Sequence, residues 1–417
     1  MTKKSYLRVA AVAAGAMLAL SACSGAGGDG SDVTLEFQTG LGTSDPILAE
    51  LTTMTGEFED ANPGVTIDLV PMTNSYEADM TVRMASNDLP DIWATHGWSL
   101  LRYSEFLEPL DGQPWAQNFN EALAPAMTNE EGQFFALPAV TDVAGIVYNQ
   151  SVLDEAGIDP TSLTTWEAFD EAAATLKSAG VTPITASGRD SWFAGNIADF
   201  LASGAYTQSD LDSLSQGEFL PDGYANMLRQ VQAWSDAEYF NADYSSASQD
   251  DIARSLAEGT TGFVFVQNYL VATALGFNPD ADLGYFPIPG FVTEPYLVGG
   301  EGHAYGVSRT SDHKDVALDY LAFLAEPDNA SILATAIGGI PGLTNAESDL
   351  GTLTASYEQF VESGEHRIEP YFDRVYLPNG MWDTMVTTTD SIITGQSDVA
   401  AAMEQIESQV ATLATNE

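Results

Sequence analysis

Residues 33–70 read VTLEFQTGLGTSDPILAELTTMTGEFEDANPGVTIDLV. Val33, Thr34, Leu35, Glu36 and Phe37 alternate apolar and polar side chains, the period of a half-buried strand. Ile47, Leu48, Leu51, Met54 and Phe58 then recur at helical spacing, behind Ser44 and Asp45 as N-cap candidates and Pro46 at a tolerated early position. Asn62-Pro63-Gly64 stops that helix, and residues 65–70 form a second strand. A strand, a helix and a strand in this order predict a parallel sheet, because parallel neighbours need a crossover connection.

The same alternation continues along the chain. A helix fits 76–87, Pro90-Asp91-Ile92-Trp93-Ala94 reads as a short strand, and Gly145-Ile146-Val147-Tyr148-Asn149 as another. Residues 165–179 are helical, Thr182-Pro183-Ile184-Thr185 is strand-like, and an amphipathic helix near 250–258 precedes the apolar strand Gly262-Phe263-Val264-Phe265-Val266. Residues 315–325 and 397–413 are helical by period. The expected class is α/β with layered sheets.

The chain has 417 residues, and its first 22 hold Lys3, Lys4 and Arg8, then an apolar run from Val9 to Leu20, then small residues. That is the layout of a secretory signal with a small-residue cleavage site. The run is shorter than the roughly 20 residues needed to cross a bilayer. Leu20-Ser21-Ala22-Cys23 resembles the bacterial lipobox, which implies that the only cysteine, Cys23, carries diacylglycerol and anchors the chain without spanning the membrane. No second thiol exists for a disulfide, so the core alone must stabilise the fold. Residues 23–32 read as a flexible tether. Gly25, Gly27 and Gly30 within them satisfy G-x-G-x-x-G, but no strand precedes the motif and no helix follows, so a dinucleotide site is rejected.

Thirteen basic residues face 60 acidic ones, a formal charge of −47. So acidic a surface repels nucleic acid and anionic ligands, leaving neutral or cationic ones. Solubility or tolerance of salt explains most of the excess.

Several motifs then appear in order: Pro90-Asp91-Ile92-Trp93, Ala136-Leu137-Pro138, Ile146-Val147-Tyr148-Asn149, Ala156-Gly157-Ile158 with Thr165-Trp166-Glu167, Phe286-Pro287-Ile288-Pro289-Gly290, Gly299-Gly300, Ala317 to Leu324, and Trp382 with Gly395. From about residue 33 to the end the chain resembles the extracellular solute-binding protein family 1, sugar-binding lipoproteins that serve ATP-driven importers, and is similar to maltose-binding protein. The resemblance implies a two-lobed periplasmic-binding-protein-like clamp of type II with a hinge, lobe 1 being 33–143 and 300–350 and lobe 2 being 144–299 and 351–417. It implies capture of a neutral mono- or oligosaccharide by lobe closure and delivery to ABC permease subunits. The protein would be a monomer held through Cys23 on the extracellular face of a bacterial membrane, with no cofactor, no metal and no enzymatic activity.

Sugar recognition asks for flat aromatic faces against the C–H side of the ring and planar polar groups against its hydroxyls. By the resemblance, Asp142, just before the crossing strand, matches a sugar-binding acid, although a solvated loop aspartate is the plainer reading. Asp190 and Trp192 match an acid and an aromatic platform, against a core aromatic for Trp192. Trp382 stands thirteen residues before Gly395, the spacing of the stacking tryptophan in maltose-binding protein. Gln267, Asn268 and Tyr269 stand where that relative carries a tryptophan and suggest amide hydrogen bonds instead. Gly300 and Glu301 lie at the second crossing. His96, Asp45 and Asp373 complete the candidates, with a structural histidine, a helix cap and a buried ion pair around Arg374 as their plainer readings.

Two other readings remain open. A secreted glycoside hydrolase needs two carboxylates about 5–10 Å apart, which 60 acids do not exclude, although no G-x-S-x-G elbow is present. A zinc enzyme is disfavoured because His96, His303, His313 and His366 form no H-E-x-x-H. The same fold holding a cation such as a polyamine suits both the acids and the aromatics.

Overall fold

The computed structural model describes residues 32–43, 45–72, 76–95 and 100–414. The signal segment, Cys23, Ser44 and His96 lie outside the described residues.

Strand β1 (Val33–Gln38) pairs in parallel with β2 (Val65–Val70), Val33 opposite Val65, and also with β3 (Ile92–Ala94). Between β1 and β2 runs the expected helix, Pro46–Ala61, with Pro46 in its first turn and Asp45 as N-cap, its side chain accepting from Ile47 N at 3.0 Å. Ile47, Leu51, Met54 and Phe58 are its buried face.

The sheet is mixed beyond this opening, which corrects the expectation of a parallel one. β4 (Leu137–Asn149) and β8 (Leu297–Val307) are long antiparallel neighbours at its centre. β5 (Thr182–Ile184), β6 (Thr261–Gln267), β7 (Leu283–Phe286), β9 (Ile340–Pro341) and β10 (Ile368–Glu369) complete it among the described residues. The main path runs β2-β1-β3-β8-β4-β6-β5, with β7 and β9 on β4 and β10 on β8.

β4 begins at Leu137, well before the strand expected from Gly145. Pro138, Asp142 and Gly145 are poor strand formers and hide the pattern. Tertiary contacts hold the strand instead: β8 lies beside its first part with register shifts around Val140, and β6 and β7 beside its last part. Gly145 is required there, since a methyl group would lie 2.5 Å from the Phe286 carbonyl oxygen.

Apolar side chains gather in two large clusters that meet on these strands. One draws on Leu35 to Val140 and Ala304 to Leu343. The other draws on Val143 to Val298 and Leu353 to Val410. The switch falls at Thr141–Val143 of β4, opposite Gly299–Glu301 of β8. The two halves therefore share a sheet but not a core. Half-buried Tyr269 packs against both clusters.

Candidate functional site

The junction of the two cores is also where most of the candidate residues stand. Asp142 lies inside β4, not before it, opposite Gly300 and only 3% exposed, so it is no solvated loop aspartate. Its Oδ2 accepts a hydrogen bond from Tyr371 Oη at 3.0 Å. Burial pushes its carboxyl up to about 7, while the Tyr371 hydrogen bond and the Arg374 charge act against that rise. A buried carboxyl at that value exchanges its proton near neutrality.

Tyr269 opens the helix Tyr269–Phe277 directly after β6 and packs on both cores. Its phenol is pushed well above the usual range by burial, then by the negative charges of Asp142, Asp45 and Asp190. The Trp192 ring is 6.0 Å from it and stacks on Phe193 at 3.9 Å. Trp192 is half-buried rather than sealed in the core. Asp45 keeps its cap role and reaches the same region, because it also acts on His303 of β8, whose imidazole burial holds below the usual range. Asp190 accepts from Gln249 N at 2.7 Å and so ties the loop before Trp192 to the helix Gln249–Ala257.

Trp382 heads the helix Trp382–Ile393, which packs beside the helix Trp192–Ala202. The two approach closely enough that a methyl group on Gly195 would lie 2.6 Å from the Trp382 indole. Each tryptophan opens its helix, and both residues are half-buried.

Other candidates are engaged with the protein itself. Gln267 is hydrogen-bonded to Asn196, and its side chain lies close to the Tyr371 phenol. Gly300 offers no open backbone, since the Tyr371 ring lies over it, 2.7 Å from where a Cβ would be. Glu301 forms a buried ion pair with Arg374, whose guanidinium also sits 4.2 Å from the centre of the Tyr371 ring. Asp373 donates its backbone N–H to Asp199 Oδ1 at 2.9 Å. Burial raises both carboxyls; the Asp373 charge raises Asp199 further, whereas the Arg374 charge and the Asp199 hydrogen bond act against the rise at Asp373. Asn268 Nδ2 donates to Gly338 O at 2.8 Å, a bond from one half to the other. Its buried Oδ1 has no partner among the described residues.

Asn196, Asp199 and Tyr371 were not among the expected residues. A signal existed for the first two: polar residues three apart inside the otherwise apolar stretch 192–202. Tyr371 carried none, because its partner Asp142 is distant in sequence and only the fold joins them.

Two halves joined by shared strands around a buried, aromatic-lined set of carboxyls define a clamp-type binding protein. The description "Bacterial extracellular solute-binding protein" belongs to the family whose pattern matches residues 53–359, and the chain belongs to that family. It is a binding protein of transport systems, not an enzyme, and its place is outside the cytoplasm. The chain is 30% identical to the melibiose/raffinose/stachyose-binding protein MelE of Bacillus subtilis over 79% of its own length and 78% of the relative's. A sugar transporter of Bacillus licheniformis solved with stachyose is 29% identical, with a TM-score of 0.82 over 91% of this chain and 100% of that one. The binding protein MsmE of Bacillus subtilis, solved in an open conformation, is 26% identical, with a TM-score of 0.82 over 93% and 99%.

Proposed function

We propose that this protein captures a neutral mono- or oligosaccharide between its lobes and passes it intact to the permease of an ABC importer. The observation that carries the reading is the buried Asp142 carboxyl at the junction of the two cores, where half-buried Tyr269 packs on both and lies 6.0 Å from the Trp192 ring, with the charges of Asp45, Asp142 and Asp190 all acting on Tyr269. Carboxyls bracket hydroxyls and aromatic rings cover C–H faces, the two demands a sugar makes together. The relative named for melibiose, raffinose and stachyose, and the neighbour solved with stachyose, make α-linked oligosaccharides the first ligands to try.

In this reading lobe 1 is 33–143 with 300–350 and lobe 2 is 144–299 with 351–417, supported by the change of core membership along β4 and β8. Closure brings ligand contacts from both lobes together, so the ligand shifts the population toward the closed form. Trp382 and Trp192 serve as stacking platforms. A lipid on Cys23 keeps the clamp, as a monomer, at the outer face of the membrane.

A cation such as a polyamine is the second reading, favoured by the same three carboxylates. The burial that pushes Asp142 up to about 7 argues against it, since a carboxyl that is half protonated near neutrality suits a hydroxyl better than an ammonium. Calorimetric titration with stachyose, raffinose, maltotriose and spermidine tests the choice. Saccharide binding without spermidine binding is expected; the reverse outcome, or cleavage of a saccharide, overturns it.

A further inference from the structure

Asp142 is the end of a row of buried side chains that starts on the helix Trp192–Ala202. Asn196 Nδ2 donates to Gln267 Oε1 at 2.8 Å, and Gln267 Nε2 returns a longer bond of 3.4 Å. Gln267 lies close to the Tyr371 phenol, and the Tyr371 hydroxyl donates to Asp142 Oδ2. A phenol has a single hydrogen to give. A carboxylate only accepts, so Tyr371 spends that hydrogen on Asp142 Oδ2.

The ring of Tyr371 is as confined as its hydroxyl. It lies over Gly300, where a methyl group would come within 2.7 Å, and the Arg374 guanidinium sits 4.2 Å from its centre. Arg374 is in turn tied to Glu301 of β8. Asp142 Oδ1 lies over Gly302, 2.6 Å from where a Cβ would be, and accepts no hydrogen bond among the described residues. One carboxyl oxygen is thus hydrogen-bonded within the protein and the other is not.

We infer that Tyr371 is a positioning residue for ligand capture: it turns the Asp142 carboxyl so that Oδ1 meets a ligand hydroxyl, and the packing of its ring on Gly300 and Arg374 holds it in that pose. The inference rests on the saccharide reading above. It does not require Tyr371 to touch the ligand.

The test compares wild type, Tyr371→Phe and Gly300→Ala, with thermal melts to check folding. Stachyose, raffinose and maltotriose affinities are measured by calorimetry from about pH 5 to 8.5, and the Asp142 carboxyl is titrated by ¹³C NMR without ligand. The groups facing that carboxyl are Tyr371, Arg374, Glu301 and Tyr269. Tyr371→Phe is expected to weaken binding of the best saccharide about tenfold, the size of a lost hydrogen bond to a charged group. It is also expected to move the Asp142 titration upward, because the lost bond favoured the carboxylate. Gly300→Ala, which displaces the ring but keeps the hydroxyl, is expected to weaken binding in the same direction. Unchanged affinity in folded Tyr371→Phe, with wild type binding normally, overturns the positioning role alone. No saccharide binding in wild type overturns the saccharide reading and the positioning role with it.

Discussion

Glu301, on a strand common to both halves, and Arg374, from the carboxy-terminal part of the chain, form an ion pair in which the side chains are 2% and 7% exposed. The pair fastens the segment carrying Tyr371 and Asp373 to the centre of the sheet. Removing one member leaves the other charged and buried, which costs about 3–5 kcal/mol. Glu301→Ala should lower the unfolding free energy by that amount in urea. Glu301→Met combined with Arg374→Met should recover most of it, and a double variant as unstable as the single one would contradict the account.

Asp142 sets a pH dependence of stability. Its ordinary value is 3.8 and burial pushes it up to about 7, so between these values the folded chain binds a proton that the unfolded chain releases. The stability linked to this carboxyl is complete below about 3.8 and is lost as pH rises through about 7. Glu301, Asp199 and Asp373 are displaced in the same direction. Asp142→Asn, which keeps an oxygen for Tyr371, should flatten the fall and raise stability at about pH 8 by roughly 1–3 kcal/mol. Urea unfolding at a series of pH values gives the slope.

Trp382→Ala should weaken saccharide binding by roughly 1–3 kcal/mol, as loss of a stacking face does. Calorimetry with stachyose measures it. Equal affinity in the folded variant would leave the indole a role in helix packing alone.

Cys23→Ser should release the protein from the membrane fraction into the medium, because a single signal-derived cysteine is the proposed lipid site. Fractionation followed by immunoblotting reads the result. Retention of the variant in the membrane fraction would remove Cys23 from that role.

The opening helix was legible because capping chemistry and apolar period are local: Asp45, Pro46 and the run from Ile47 to Phe58 declare it without help from the rest of the chain. β4 was half hidden for the opposite reason. Its Pro138, Asp142 and Gly145 are tolerated only because β8, β6 and β7 supply the neighbours, and those strands come much later in sequence. The site divides in the same way. Asp142, Trp192 and Trp382 were named through the family resemblance, whereas the Asn196 partner of Gln267 and the Tyr371 partner of Asp142 are brought together only by the folded chain.

The strands β4 and β8 run without a break from one core into the other. A joint made of loops would let the halves swing freely, but a ladder of backbone hydrogen bonds resists shear and yields mainly to torsion. The clamp would then work as a torsion bar, storing elastic energy in its sheet as it moves and reporting an occupied cleft to the membrane as an angle.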